Sequence, residues 1–511
     1  MWNDRTFARR TFLSVETAAT DKNVHLTSSR RRVLSDICLG FGGLALNSLL
    51  AERATAQHTG DTVEQPGATS IDSHPLAPRP PHFAARATRI IFLFMHGGPS
   101  HIDLFDPKPK LDKDDGKKLP FDETRVKFAE RGALMRSPWR FRPCGDSGIP
   151  MSELWKHLPA VADELCMIHS VCETNVAHGG ACMKLHTGDE AQLRPSLGSW
   201  VSYGLGTENQ NLPSFITICP TSLHGGVNNF GAAALPAVHS GVPLGTPGYP
   251  NTKAADATFD FLQNSRLTAA QQRLQLQLLR QVHAASRAGD TELDARLQSF
   301  ELAFRMQTAA PEAMDLSGES KATQELYGLD DPQTQNFGRE CLLARRFAER
   351  GVRFIQVSHA HSLGFNNEQW DQHTYLKKGH TANVGQIDKP ITGLLTDLRQ
   401  RGLLRDTLVV WGGEFGRTPT VQVGQAEPGR DHHPEGFTIW MAGGGVKGGF
   451  RYGRTDEYGY YAVENRFTIH DLHATLLHLL GLDHTRLTLP YSGRDLRLTD
   501  VYGDVATGIF A

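Results

Sequence analysis

Three clusters of carboxylates and imidazoles each follow an apolar run in this chain. In Thr407-Leu-Val-Val-Trp-Gly-Gly-Glu-Phe-Gly-Arg-Thr-Pro419, Glu414 stands where the run opens into a loop, and Gly429-Arg-Asp-His-His-Pro434 then adds Asp431, His432 and His433. The run ending at Met95 leads straight into His96-Gly-Gly-Pro-Ser-His101-Ile-Asp103, where paired glycines let the backbone turn sharply toward a ligand. Trp370-Asp371-Gln-His373, with His380 further on, lies downstream of Phe354-Ile-Gln-Val-Ser358 and the His359-Ala-His361 end. Carboxylate with imidazole suits a divalent metal or phosphoryl and sulfuryl transfer. Ligands must lie within a few Å of one point, so His96, Asp371, Glu414 and at least one of His432 and His433 are expected to converge. The guanidinium fork of Arg417 suits an oxyanion. The alternative is plainer: Glu414 pairs with Arg417 or Arg430, and the histidines are surface residues.

The elements that position these residues follow from periodicity. Arg89–Met95, Cys166–Val171, Phe215–Ile218, Phe354–Ser358, Leu408–Trp411 and Phe437–Met441 read as strands, the first almost wholly apolar and therefore central. Leu267–Phe304 reads as two polar helices on the outside, and Phe337–Arg350 and Val384–Arg401 as amphipathic helices. Ile469–Leu480 reads as an apolar helix with Asp471 in its first turn. Strands alternating with helices predict an α/β fold with a mostly parallel sheet covered on both faces. Ligands of such sheets bind beyond the carboxyl ends of the strands.

With 511 residues, 39% hydrophobic content and a formal net charge of −2, the chain suits a large globular domain. Its interspersed charges exclude a nucleic-acid surface. Twenty-three histidines raise the expectation of metal chemistry. Near the start, Ser29-Arg30-Arg31-Arg32-Val33-Leu34 and the apolar segment Ile37–Leu46 match a twin-arginine export signal, with Ala54-Thr-Ala56 as a cleavage site before Gln57. The apolar segment is too short and Gly-rich for a stable transmembrane anchor. The twin-arginine machinery is thus an expected partner, and the periplasm or cell envelope the expected location. The expected organisation is a signal over 1–56, a Pro-rich linker or surface-hugging arm over 57–87, and an α/β domain over 88–485 with a helical insertion at 266–335. A C-terminal tail over 486–511 completes it. No two cysteines form a CxxC pair, which argues against a thiolate zinc site.

The ordered motifs His96-Gly-Gly-Pro-Ser-His-Ile-Asp103, His-Thr-Gly188, Trp-Asp-Gln-His373, Gly-Gly-Glu-Phe-Gly-Arg-Thr-Pro419, Gly-Arg-Asp-His-His-Pro434 and Met-Ala-Gly-Gly-Gly-Val-Lys-Gly-Gly449 carry a resemblance. From about Pro75 to Asp483 the chain resembles the bacterial family called domain of unknown function 1501, whose members are typically exported by the twin-arginine route. That family is similar to the alkaline phosphatase superfamily, which includes sulfatases and phosphoglycerate mutases. The resemblance implies a doubly wound sheet and a divalent metal ion (zinc, calcium or manganese) at the strand ends. It also implies an anionic phosphate or sulfate ester as substrate.

Residue by residue, His96 takes the place of the superfamily's first metal-binding Asp, with Asp103 the nearest carboxylate. Glu414 resembles the later Asp-His pair without its His. His432 or His433 matches the final metal-binding His, and Asp371 with His373 resembles the preceding pair. Thr174-Asn-Val-Ala-His178 to Gly188 is similar in layout to the sulfatase nucleophile segment, with His178 near the nucleophile's place as an acid/base or a ligand. No Cys/Ser-x-Pro-x-Arg occurs, which disfavours a formylglycine sulfatase. The rival from another class is a non-catalytic binding or envelope-assembly protein that retains the fold.

Overall fold

The computed structural model describes residues 76–121, 129–249, 251–260, 262–286, 291–360 and 369–511. The expected export signal, the linker up to residue 75 and His361 lie outside the described residues. Eight strands form the main sheet: β1 (Arg89–Met95), β2 (Leu165–Val171), β3 (Phe215–Ile218), β4 (Val242–Leu244), β5 (Phe354–His359), β6 (Thr407–Gly412), β7 (Phe437–Gly443) and β8 (Phe450–Tyr452). Their spatial order is β8-β2-β7-β6-β1-β5-β3-β4. Only β7 runs against its neighbours.

β1 explains the layering. Ile91, Leu93 and Met95 enter one hydrophobic core, and Ile90, Phe92 and Phe94 enter the other. A strand apolar on both faces needs cover on both, so it takes the centre, paired in parallel with β5 and β6. The longer helices in chain order are α1 (His178–Thr187), α2 (Leu197–Leu205), α3 (Ala269–Ser286), α4 (Thr291–Met314), α5 (Gln335–Glu349), α6 (Leu376–Gln400) and α7 (Ile469–Leu479). Leu185 of α1, Trp200 of α2 and Leu472 of α7 share the core of Ile90, whereas Phe337 of α5 and Ile387 of α6 share that of Ile91. This is the doubly wound α/β architecture. α7 begins with a capping box, in which Thr468 and Asp471 satisfy each other's backbone amides.

Two expectations need revision. α6 starts at Leu376 rather than near Val384, because its first turns bury Leu376, Gly379 and His380; packing overrides the helix-breaking glycines and Pro390. α4 is not wholly external, since Leu302, Met306 and Ala310 enter the first core. The C-terminal tail over 486–511 packs onto the domain: Leu496, Leu498 and Ile509 lie in the second core, and Lys447 N donates to Ile509 O at 2.8 Å. Among the described residues no helix is long and apolar enough to cross a membrane. All six described cysteines are buried free thiols.

A small antiparallel sheet of Arg131–Leu134, Gly416–Gln422 and Arg430–His433 stands beside the main one. It carries Arg417 opposite His432.

Candidate metal centre

The carboxyl ends of four parallel strands deliver the candidate residues to one place. His96 directly follows β1, Glu414 lies two residues past β6, Asp371 and His373 come after β5, and His178 opens the helix that follows β2. This crevice lies where the chain crosses from one side of β1 to the other, the usual ligand position in such sheets. The approach is tight. A Cβ on Gly97, whose φ is +110°, would sit 2.8 Å from the backbone nitrogen of Asp371, so glycine is required there.

Two donor groups meet. In the first, His178, Asp371, His373 and His432 place ligand atoms within 4.8 Å of one another; in the second, His96, Cys182 and Glu414 do the same. His178 joins them, its Nδ1 donating to Glu414 Oε1 at 2.6 Å and its Nε2 lying 3.3 Å from Asp371 Oδ1. Within the first group, His373 Nε2 and His432 Nε2 are 2.9 Å apart, and they lie 3.0 and 3.1 Å from Asp371 Oδ1. The outer nitrogen of each ring is held by a protein oxygen: His432 Nδ1 donates to Val176 O at 2.7 Å, and His373 Nδ1 to Gln422 Oε1. In the neutral rings both inner nitrogens are therefore lone pairs, aimed together with a carboxylate oxygen at a common point. That is how metal-ligating histidines are oriented. The second group repeats the device. Gln369 gives its amide nitrogen to Ala360 O at 2.7 Å, which turns its oxygen toward His96 Nδ1 at 3.1 Å.

The electrostatics fit a cluster that wants positive charge. Burial alone would lower the His178 pKa, but hydrogen bonds and charge from Asp371 and Glu414 raise it from 6.5 to about 9. Glu414 is opposed by burial, yet His178 and the charge of His96 pull it down to about 2. Burial would raise the Asp371 pKa, but the Arg417 charge holds it well below the carboxylate range. Burial, assisted by the Arg417 and His178 charges, lowers His432 to about 4 and keeps it neutral.

These shifts predict how metal-free protein responds to pH. The raised His178 pKa contributes stability that is complete below 6.5 and is lost as pH rises through about 9. The depressed Glu414 pKa contributes stability present above 4.5 and lost as pH falls toward about 2. Chelator-treated protein should therefore melt at steadily lower temperature between pH 6.5 and 9. A flat profile there would show that His178 is not held as a cation.

Not every candidate joins the centre. The Asp103 carboxylate is bound to Arg430 at 2.7 and 3.1 Å and accepts from Ser100, all of it buried. It is a structural ion pair. His433 donates from Nε2 to Tyr460 O at 2.6 Å, on the opposite side of its strand from His432. Arg417, read from the sequence as an oxyanion binder, directs its donors into the protein: they reach Gly98 O at 2.8 Å, Arg430 O at 3.2 Å, Gly97 O, Trp370 O at 3.3 Å and Asp371 Oδ1 at 2.6 Å. It clamps the β1 turn to Asp371 and positions that carboxylate. The plainer pairing of Glu414 with Arg417 or Arg430 is also absent, since Glu414 accepts from His178 and from Gly97 N at 3.0 Å.

Sequence reasoning missed Cys182 and His224. Cys182 follows His178 by four residues on one helix, the spacing that puts both on the same face. His224 sits alone in a polar segment, with no spacing to betray it. Its ring stacks on His178 at 4.6 Å and on His96 at 5.0 Å between centroids.

A family model described as "Protein of unknown function (DUF1501)" matches residues 87–510. The chain belongs to that family. No curated protein matches the chain. Solved structures similar to this DUF1501 protein include the lipoteichoic acid synthase LtaP from Listeria monocytogenes, at 11% identity, 83% of this chain, 78% of that chain and TM-score 0.31. A protein in the alkaline phosphatase superfamily from Vibrio parahaemolyticus matches at 10% identity, 80% and 70% coverage and TM-score 0.33. Alkaline phosphatase from the Antarctic bacterium TAB5 matches at 8% identity, 78% and 99% coverage and TM-score 0.30. At such distance the likeness says nothing about activity.

Proposed function

We propose that this DUF1501 protein is an exported, metal-dependent hydrolase of phosphate or sulfate esters. The observation that carries the reading is the convergence of His373 Nε2, His432 Nε2 and Asp371 Oδ1, three acceptor atoms 2.9 to 3.1 Å apart. Those separations are close to the ~3.3 Å edges of a tetrahedron with arms of about 2.0 Å. Asp371, His373 and His432 would hold one ion, with His178 beside it, and His96, Cys182 and Glu414 would hold a second. Nitrogen and sulfur donors favour zinc, or manganese at the first set, over calcium, which takes oxygens. When bound, such ions neutralise an ester's anionic oxygens and make a water molecule more acidic.

The chain's own residues supply the rest. His178 opens α1, so an anion approaching it meets the positive end of a helix dipole. His178, whose Nδ1 donates to Glu414 at 2.6 Å, presents Nε2 beside Asp371 and would serve as the acid/base that exchanges a proton with water there. Cys182 is an unsuitable nucleophile, because burial and the Glu414 charge push its thiol pKa well up.

One feature favours the binding-protein reading instead: α1 begins with His178 where a hydroxyl nucleophile would serve a hydrolase. Turnover decides between them. Chelator-stripped protein resupplied with zinc or manganese should hydrolyse generic phosphate or sulfate esters, and His432→Ala should lose both the metal of the first set and turnover. Metal binding without turnover of any ester leaves the binding-protein reading.

A further inference from the structure

His224 is held against both donor groups by an unusual turn. His224, Gly225 and Gly226 have φ of +46°, +94° and +52° in succession, a path that favours glycine and is costly for a residue with a Cβ. The turn is fixed from within. Leu223 N donates to Thr221 Oγ1 at 3.1 Å, and the buried Asn229 donates from Nδ2 to His224 O at 3.0 Å. A Cβ on Gly225 would strike Asn229 Oδ1 at 2.3 Å. Such a conformation, stabilised by its surroundings, belongs with a positioned side chain rather than an idle loop.

The side chain so positioned is half-buried and lies with its ring nearly parallel to two imidazoles, tilted by 25° to His178 and 23° to His96. His178 belongs to the first donor group and His96 to the second, so His224 straddles their junction on the side that keeps some solvent contact. The rings of His96, His373 and His432 each have one nitrogen bound to a protein oxygen, the support expected of metal ligands. Among the described residues no hydrogen bond reaches the ring nitrogens of His224. It is therefore arranged differently from the ligands, with its polar edge left for something that enters from solvent.

We propose that His224 is a substrate-contacting residue, whose imidazole hydrogen-bonds the alcohol side of an ester while the anionic group spans both donor sets. The Thr221–Asn229 turn then decides which alcohols fit. This inference rests on the hydrolase reading above and goes beyond it, by assigning the organic half of the substrate to a particular residue and turn.

His224→Gly is the informative variant, because glycine accepts the positive φ and removes only the ring; His224→Asn tolerates the same φ and restores a donor. Bound metal, melting temperature, KM for a 4-nitrophenyl ester and inhibition by inorganic phosphate are measured on all three proteins. The glycine variant is expected to keep its metal, its melting temperature and its inhibition by phosphate, while KM rises about tenfold, the worth of one hydrogen bond. The asparagine variant should recover part of that loss. Loss of metal would make His224 a ligand, and equal weakening of ester and phosphate would put it on the anion; either overturns the proposal. Wild-type turnover with KM unchanged in the variants sinks this inference alone. Wild-type metal binding with no affinity for ester or phosphate sinks it together with the hydrolase reading.

Discussion

Glu414→Gln is expected to abolish ester turnover, by ~10³-fold or more, or about 4 kcal/mol of transition-state stabilisation. The swap preserves shape but removes the charge that a cation in the second donor set requires. It also replaces the charged acceptor of the 2.6 Å bond from His178 Nδ1 by a neutral one at best, which weakens the link between the two donor sets. Glutamine turned with its oxygen to the ring can still accept from the ring and from Gly97 N, but without the charge that holds the His178 proton. At a solvated loop position such a change would cost about 1 kcal/mol or less. The structure leaves Glu414 only 1% exposed. Removing one partner of a buried charged pair costs about 3–5 kcal/mol, and His178 can relieve part of that by shedding its proton. A cost near the lower end of that range is therefore expected. Metal content, melting temperature and turnover on matched preparations check all three. Equal metal and equal turnover would make Glu414 structural.

Asp103→Asn should do the reverse, with a large loss of stability and no loss of metal. Asp103 and Arg430 are both 0% exposed and meet through two hydrogen bonds, at 2.7 and 3.1 Å. Burial would raise the Asp103 pKa, but the charge and hydrogen bonds of Arg430, helped by His380 and Ser100, hold it below the usual value. Asparagine leaves a guanidinium buried without its counter-ion, a loss of about 3–5 kcal/mol. The remaining folded protein should bind metal and turn over ester as the wild type does. Denaturant unfolding followed by metal analysis of the folded fraction reads both halves. Metal loss from a correctly folded variant would return Asp103 to the centre.

The contrast between these residues shows how far the sequence could be read. β1, β3 and α7 were legible because apolar runs, flanking turns and a capping pair all point the same way. His96 and Glu414 were legible because each sits where a fully apolar strand ends. What spacing does not give is side-chain direction away from such strands. His432 and His433 are consecutive on Arg430–His433, and successive side chains of a strand point to opposite faces, so only one can serve the centre. Read as loop residues they looked equivalent. Asp103 shares eight residues with His96, but the short helix His101–Leu104 turns it toward Arg430. Arg417 has the right chemistry for an anion and is engaged instead by backbone carbonyls that become neighbours only in the fold. His224 lies more than a hundred residues from His96 in sequence, joined to it only by tertiary packing.

The central claim is that a divalent cation belongs among Asp371, His373 and His432. Anomalous diffraction at the zinc and manganese edges, from crystals of protein grown with those metals supplied, tests it directly. The account predicts a peak bounded by Asp371 Oδ1, His373 Nε2 and His432 Nε2, lost in crystals of His432→Ala. Crystals with zinc and manganese present but no anomalous peak, and with those three atoms still in mutual contact at 2.9 to 3.1 Å, would contradict it.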